Sequence, residues 1–72
     1  MVNVDRLREA LTNKGITVEK AAEAIGVDRA TLYRRLAQNG TRFTLDEVEK
    51  LSDLLTLSRA DLERIFFDRE LA

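Results

Sequence analysis

The sequence predicts an all-α fold, a compact orthogonal bundle of five helices. Apolar residues recur at helical spacing in five segments, and no segment alternates apolar and polar residues with a sustained period of two. The connections are two to five residues long, and no segment is long enough for a coiled coil. Proline is absent, and each of the three glycines follows a helix-like segment. We expect one domain over residues 1–72.

Each expected helix begins at a side chain that can accept hydrogen bonds from the free amides of the first turn. These caps are Asn3, Thr17, Asp28, Thr44 and Ser58. The first helix should run to about Lys14, and the fourth, which opens with a capping box between Thr44 and Glu47, to residue 55. The apolar positions expected to face inward are Val4, Leu7, Leu11, Val18, Ala22, Ile25, Val27, Leu32, Leu36, Leu45, Val48, Leu51, Leu55, Leu62, Ile65 and Phe66.

Composition argues against several classes of protein. The chain has neither cysteine nor histidine, so disulfides, thiolate metal sites and the commonest general base are excluded. The carboxylate pairs fall in first helical turns, where the helix dipole favours negative charge. We therefore expect no enzyme activity, metal, cofactor or small-molecule substrate.

No apolar run is long enough for a membrane span and no signal peptide is visible, so a cytoplasmic protein is expected.

The charges are unevenly distributed along the chain. Residues 1–42 carry eight Lys or Arg against five Asp or Glu, which leaves +3, whereas residues 43–72 carry four against eight, which leaves −4. A basic front with an acidic rear can orient a protein on DNA. A segregation of this size could equally arise by chance in a charged helical domain.

The stretch from Thr17 to Gly40 has the pattern of two short helices joined at Gly26, a helix-turn-helix whose motif spans residues 17–38. Ala21 and Ala22 are small enough to let the two helices cross closely. In such a motif the second helix, here residues 28–38, lies in the major groove of double-stranded DNA. We call residues 28–38 the recognition helix.

Helical rotation of about 100° per residue identifies the outward side of the recognition helix, because Leu32 and Leu36 must point into the core. The outermost positions are Ala30, Arg34, Ala37 and Gln38, flanked by Thr31 and Tyr33. The candidate base contacts are Arg29, Ala30, Thr31 and Arg34, and arginine suits the O6 and N7 of guanine. The candidate phosphate contacts are Thr17, Tyr33, Arg35, Gln38, Asn39, Thr41 and Arg42. The alternative interpretation is a solvated helix surface, and for Tyr33 packing at the helix edge.

Phe67 lies about 100° beyond Phe66 on the last helix and so leaves the inward side. With its neighbours it forms a candidate dimer surface, Leu55, Phe67 and Leu71. Phe67 could instead close the bottom of a small core.

Four segments of the chain together resemble small prophage-type regulators of Gram-positive bacteria, within the phage repressor and Cro-like, or XRE, family of helix-turn-helix proteins. They are Lys14–Thr17, Gly26–Leu36, Phe43–Leu55 and Leu57–Phe67. The resemblance implies a lambda-repressor-like DNA-binding domain that binds an operator, usually as a homodimer, and reads bases with Arg29, Ala30 and Arg34. Val18 stands where relatives often have a phosphate-binding glutamine.

The alternative to DNA binding is a protein-binding module, such as an antitoxin or anti-repressor component. Such a module would present an apolar or acidic helix surface.

Overall fold

The computed structural model describes residues 2–38 and 41–68, which form five α-helices and no strand. The helices are α1 Val4–Asn13, α2 Val18–Ile25, α3 Arg29–Leu36, α4 Leu45–Leu55 and α5 Arg59–Phe66. The predicted all-α bundle of five helices is therefore confirmed. The sequence expectations for Asn39, Gly40 and Leu71 fall outside the described residues.

The helices begin where the capping residues predicted. The side chains of Asn3, Thr17, Thr44 and Ser58 each accept a hydrogen bond from a backbone amide in the first turn that follows. At Thr44 the capping box is complete, because the Glu47 side chain also accepts the Thr44 amide. Asp28 occupies the cap position of α3, but its side chain makes no capping bond.

The ends of three helices turn through left-handed backbone. Gly15 and Gly26 have φ angles of +68° and +78°, as expected for glycines that follow a helix. Thr56, which ends α4, also has a positive φ, +52°. Nothing in the sequence predicts this conformation for a β-branched residue.

The core is built from the predicted apolar stripes, with Leu7, Leu32, Leu51 and Leu55 as its largest fully buried side chains. Leu55 is only 1% exposed, so its assignment to a dimer surface is wrong. Leu45 was expected inside and is 71% exposed. The spacing of apolar residues along a helix sets the direction in which a side chain points, but it does not show whether a neighbouring helix extends far enough to cover that side chain. Leu45 is the first residue of α4 and is left uncovered.

Contacts between helices hold the recognition helix against the rest of the bundle. α2 packs against both α3 and α4, and the fully buried Ala21 and Ala22 give α2 a surface of small side chains. The Arg8 guanidinium in α1 donates to the carbonyl of Leu36 at the end of α3 (3.3 Å). No helix among the described residues is both long and apolar enough to cross a membrane.

Candidate nucleic-acid interface

The turn between α2 and α3 is closed by backbone hydrogen bonds that need the left-handed conformation of Gly26. The Gly26 amide donates to the carbonyl of Glu23, and the Val27 amide donates to that of Ala22 (3.0 Å). These bonds satisfy carbonyls that the end of α2 would otherwise leave free. Val27 packs against the core, so α3 starts in a fixed direction immediately after the turn.

The outward side of α3 is the side that helical rotation predicted. Leu32 and Leu36 are 1% and 3% exposed, whereas the predicted outermost residues Ala30, Arg34, Ala37 and Gln38 are all exposed. Arg29 in the first turn is also exposed, and Thr31 is half-buried. Ala37 and Gln38 follow the last residue of the regular helix. The four candidate base contacts thus lie along the first two turns of one short helix.

The exposed side of α3 is basic. Arg29 and Arg34 lie on it, and α3 contains no carboxylate. The acids beside it are Asp28 at the cap position and Glu19 of α2, which lies within hydrogen-bond distance of the Tyr33 hydroxyl. The side chains of Arg29 and Arg34 form no ion pair or hydrogen bond with any described residue. Both guanidiniums therefore keep their N–H groups for an external acceptor.

Tyr33 is 46% exposed, and its hydroxyl donates to a carboxylate oxygen of Glu19 in the first turn of α2 (3.1 Å). This bond links the two helices of the motif at their exposed edge. Nearby, the Thr17 hydroxyl oxygen accepts the Lys20 amide (3.1 Å), which leaves the hydroxyl hydrogen able to donate to a ligand. The Thr17 hydroxyl is therefore available for the predicted phosphate contact. The Tyr33 hydroxyl would have to give up its hydrogen bond to Glu19 before it could donate to a phosphate.

Arg35 is the candidate whose surroundings differ most from the sequence expectation. Its guanidinium donates to a carboxylate oxygen of Glu47 in α4 (2.9 Å) and lies over the ring of Phe43, 5.2 Å from the ring centre. The side chain of Arg35 is 25% exposed. It faces the protein, which differs from the expected role as a phosphate contact.

Glu47 is the one buried charged residue in the described part of the chain, with 7% of its surface exposed. Burial raises the pKa of its carboxyl, but the hydrogen bond from the Thr44 amide and the hydrogen bond and positive charge of Arg35 outweigh that effect. The net result is a pKa below the ordinary value of 4.5. Glu47 is therefore ionised at neutral pH and holds the arginine.

The loop that leads into α4 carries the remaining phosphate candidates. Thr41 is half-buried and Arg42 is exposed, directly before Phe43. Asn39 lies outside the described residues. Among the described residues no group of acidic side chains is arranged to hold a metal ion.

A sequence model of the helix-turn-helix family matches residues 7–62, more than half of the chain. The chain belongs to the helix-turn-helix family. No curated protein and no solved structure gives a match to the chain.

Membership of this family, of the XRE type, indicates a DNA-binding transcriptional regulator and implies binding of double-stranded DNA. Members of the helix-turn-helix family are typically not enzymes. The matched range contains both helices of the motif and the loop that carries Arg42.

Without the buried Leu55, the candidate dimer surface consists of Phe67 and Leu71, which lie outside that range. Phe67 is 54% exposed and follows the last residue of α5, whereas Leu71 is outside the described residues. Leu45, at 71% exposure, is a second exposed apolar side chain that the sequence pattern placed in the core. Both are large apolar groups at the surface of a helix-turn-helix protein, at the start of α4 and the end of α5.

Proposed function

We propose that this helix-turn-helix protein is a transcriptional regulator of the phage repressor or Cro-like type, which binds a specific operator in double-stranded DNA. The recognition helix, residues 28–38, enters the major groove. The observation that carries the proposal is the pair Arg29 and Arg34, exposed without an intramolecular partner among the described residues, on a helix anchored by Leu32 and Leu36.

In this proposal Arg29 and Arg34 read guanines. Each guanidinium donates two hydrogen bonds, to O6 and N7, a contact that discriminates against other bases by about 1–3 kcal/mol. Ala30 contacts a thymine methyl group or lets the helix approach closely, and Thr31 bonds a base edge from its half-buried position. Specificity then depends mainly on the two arginines.

Phosphate contacts hold the recognition helix in register. Thr17 at the start of α2, Gln38 and Asn39 after α3, and Thr41 and Arg42 in the following loop serve this role. Val18 occupies the position where relatives often have a glutamine, and it is half-buried against the core. The arginine contacts therefore matter more here than in relatives with that glutamine.

The second candidate function is a protein-binding module, such as an antitoxin or anti-repressor component. A surface for that purpose should be apolar or acidic along the outward side of α3. That side instead carries Arg29 and Arg34 and no carboxylate within the helix. The positive charge of this surface favours DNA over a protein as the partner.

The proposed regulator binds as a homodimer through a surface that includes Phe67, whose ring is 54% exposed at the end of α5 and would be removed from water in the dimer. Two copies related by a two-fold axis would read half-sites about 34 Å apart.

A pair of variants tests the assignment of the reading surface. Arg34→Ala should remove the preference at one base pair and cost about 1–3 kcal/mol on the preferred duplex, with little change on others. Arg42→Ala should instead weaken binding to all duplexes alike and lower the slope of log affinity against log salt by about 1. Binding to selected and random duplexes is measured by fluorescence anisotropy at several salt concentrations. If both variants bind every duplex as the parent does, α3 is not the reading helix.

A further inference from the structure

Arg35 and Glu47 connect the recognition helix to the start of α4 by the shortest ion pair in the described part of the chain, 2.9 Å. The same carboxylate oxygen of Glu47 also accepts the backbone amide of Thr44 (2.8 Å). One oxygen thus fixes both the guanidinium and the first turn of α4. Only 9% of the Glu47 side chain is exposed, so this oxygen has little access to water.

Phe43 extends this contact across the bundle. Its ring lies beneath the guanidinium of Arg35 and packs edge-to-face with the ring of Phe66 in α5, at a centre distance of 6.0 Å and an interplanar angle of 81°. Arg42, a proposed phosphate contact, is the residue directly before Phe43. The loop is therefore held from both sides, by α3 and by α5.

The direction of Arg35 also constrains its neighbour Arg34. Adjacent residues of a helix point about 100° apart. The burial of Leu32 and Leu36 sets the outward direction of Arg34, and the contact of Arg35 with α4 reinforces it. The ion pair thus helps to fix the position of Arg34, a proposed base contact on α3, relative to Arg42, a proposed phosphate contact in the loop.

We propose that Arg35 is a positioning residue, whose ion pair with Glu47 over the ring of Phe43 sets the placement of the recognition helix relative to the loop of residues 41–44. It acts through Arg34 and Arg42 and does not bind a phosphate itself. This inference rests on the proposed function and replaces the phosphate role that the sequence suggested for Arg35. A phosphate contact would draw the guanidinium away from a buried carboxylate, which is costly to leave unpaired.

Glu47→Gln distinguishes a positioning role from a simple effect of net charge, because the two predict changes of opposite sign in the affinity for DNA. Loss of a negative charge should strengthen binding to a polyanion if only net charge matters. Loss of the ion pair should weaken binding, by about three- to tenfold, if the pair positions the helix. Glutamine can still accept the Thr44 amide and so preserves the capping box. Glu49→Gln, at an exposed position of the same helix, is the matched control for charge and should not weaken binding.

The salt dependence of Arg35→Met supplies an independent measurement. As a positioning residue, Arg35 contributes no phosphate contact, so the variant should bind about three- to tenfold more weakly with an unchanged slope of log affinity against log salt. Arg42→Ala is the control with a reduced slope. The double variant with Glu47→Gln should bind no more weakly than the weaker single variant, because both substitutions break one interaction.

All variants are assayed by anisotropy on a duplex selected by the parent protein, at a temperature where circular dichroism shows each to be folded. The base preference at the pair read by Arg34 should also weaken in Glu47→Gln, which loss of stability alone does not cause.

Tighter or unchanged binding by Glu47→Gln, or a slope lowered by about 1 in Arg35→Met, would overturn the positioning role. If Arg35→Met does not fold, the direction of the change in DNA affinity in Glu47→Gln decides by itself whether Arg35 has a positioning role. If the parent protein selects no duplex, the proposed function fails, a result distinct from either outcome.

Discussion

Thr56→Gly should stabilise the protein, although the substitution removes a side chain. Thr56 ends α4 with φ and ψ of 52° and 51°, the left-handed region that a β-branched residue adopts only at a cost. Its side chain is exposed, and its amide donates to carbonyls of α4. Glycine retains those backbone bonds and removes the strain.

The magnitude follows from two opposing contributions. Left-handed backbone costs a residue with a Cβ atom about 1–2 kcal/mol. Glycine loses more conformational entropy on folding, which costs roughly 0.5–1 kcal/mol relative to alanine. The central values differ by a net stabilisation of about 0.75 kcal/mol, which raises the melting temperature of a domain of this size by roughly 3–6 °C.

Thermal and urea unfolding followed by circular dichroism measure the effect. Thr12→Gly is the matched control, since Thr12 is exposed within the regular helix α1. There glycine should destabilise by about 0.3 kcal/mol. A Thr56→Gly protein that melts at or below the temperature of the parent would refute the reasoning and would mean that Thr56 is not strained.

Two further outcomes follow from the buried carboxylate and the exposed phenylalanine. Because the pKa of Glu47 is lowered by folding, its ionisation stabilises the protein above pH 4.5, and this contribution is lost as the pH falls through the lowered pKa. Unfolding measured across that window should lose less stability in Glu47→Gln than in the parent. Phe67→Ser should weaken self-association in sedimentation by roughly tenfold and change stability by less than about 0.5 kcal/mol. Association unaffected by Phe67→Ser would remove that residue from the dimer surface.

Local patterns were sufficient to predict the helices and the outward side of the motif. A capping residue acts through atoms three positions away, so Thr17 and Ser58 mark the starts of α2 and α5 without knowledge of the fold. Likewise, the burial of Leu32 and Leu36 settles the exposure of Arg34 by rotation alone.

The features that sequence did not predict depend on contacts between elements. Arg35 and Glu47 are separated by 12 positions, and no periodicity connects an arginine on one helix with a carboxylate that also serves a capping box. Arg35 thus had the pattern of a surface cation. Leu45 and Leu55 belong to one stripe, but the extent of the neighbouring helices decides that the first is exposed and the second buried.

Selection of binding sites from a pool of random duplexes, read by sequencing, tests the central claim most directly. We predict an enriched motif that contains guanines for Arg29 and Arg34, repeated with two-fold symmetry at a spacing of about 10 base pairs. The Arg34→Ala protein should enrich a motif that has lost its preference at one position in each half. Recovery of the random pool without enrichment, under salt conditions that favour binding, would contradict the account of this protein as an operator-binding regulator.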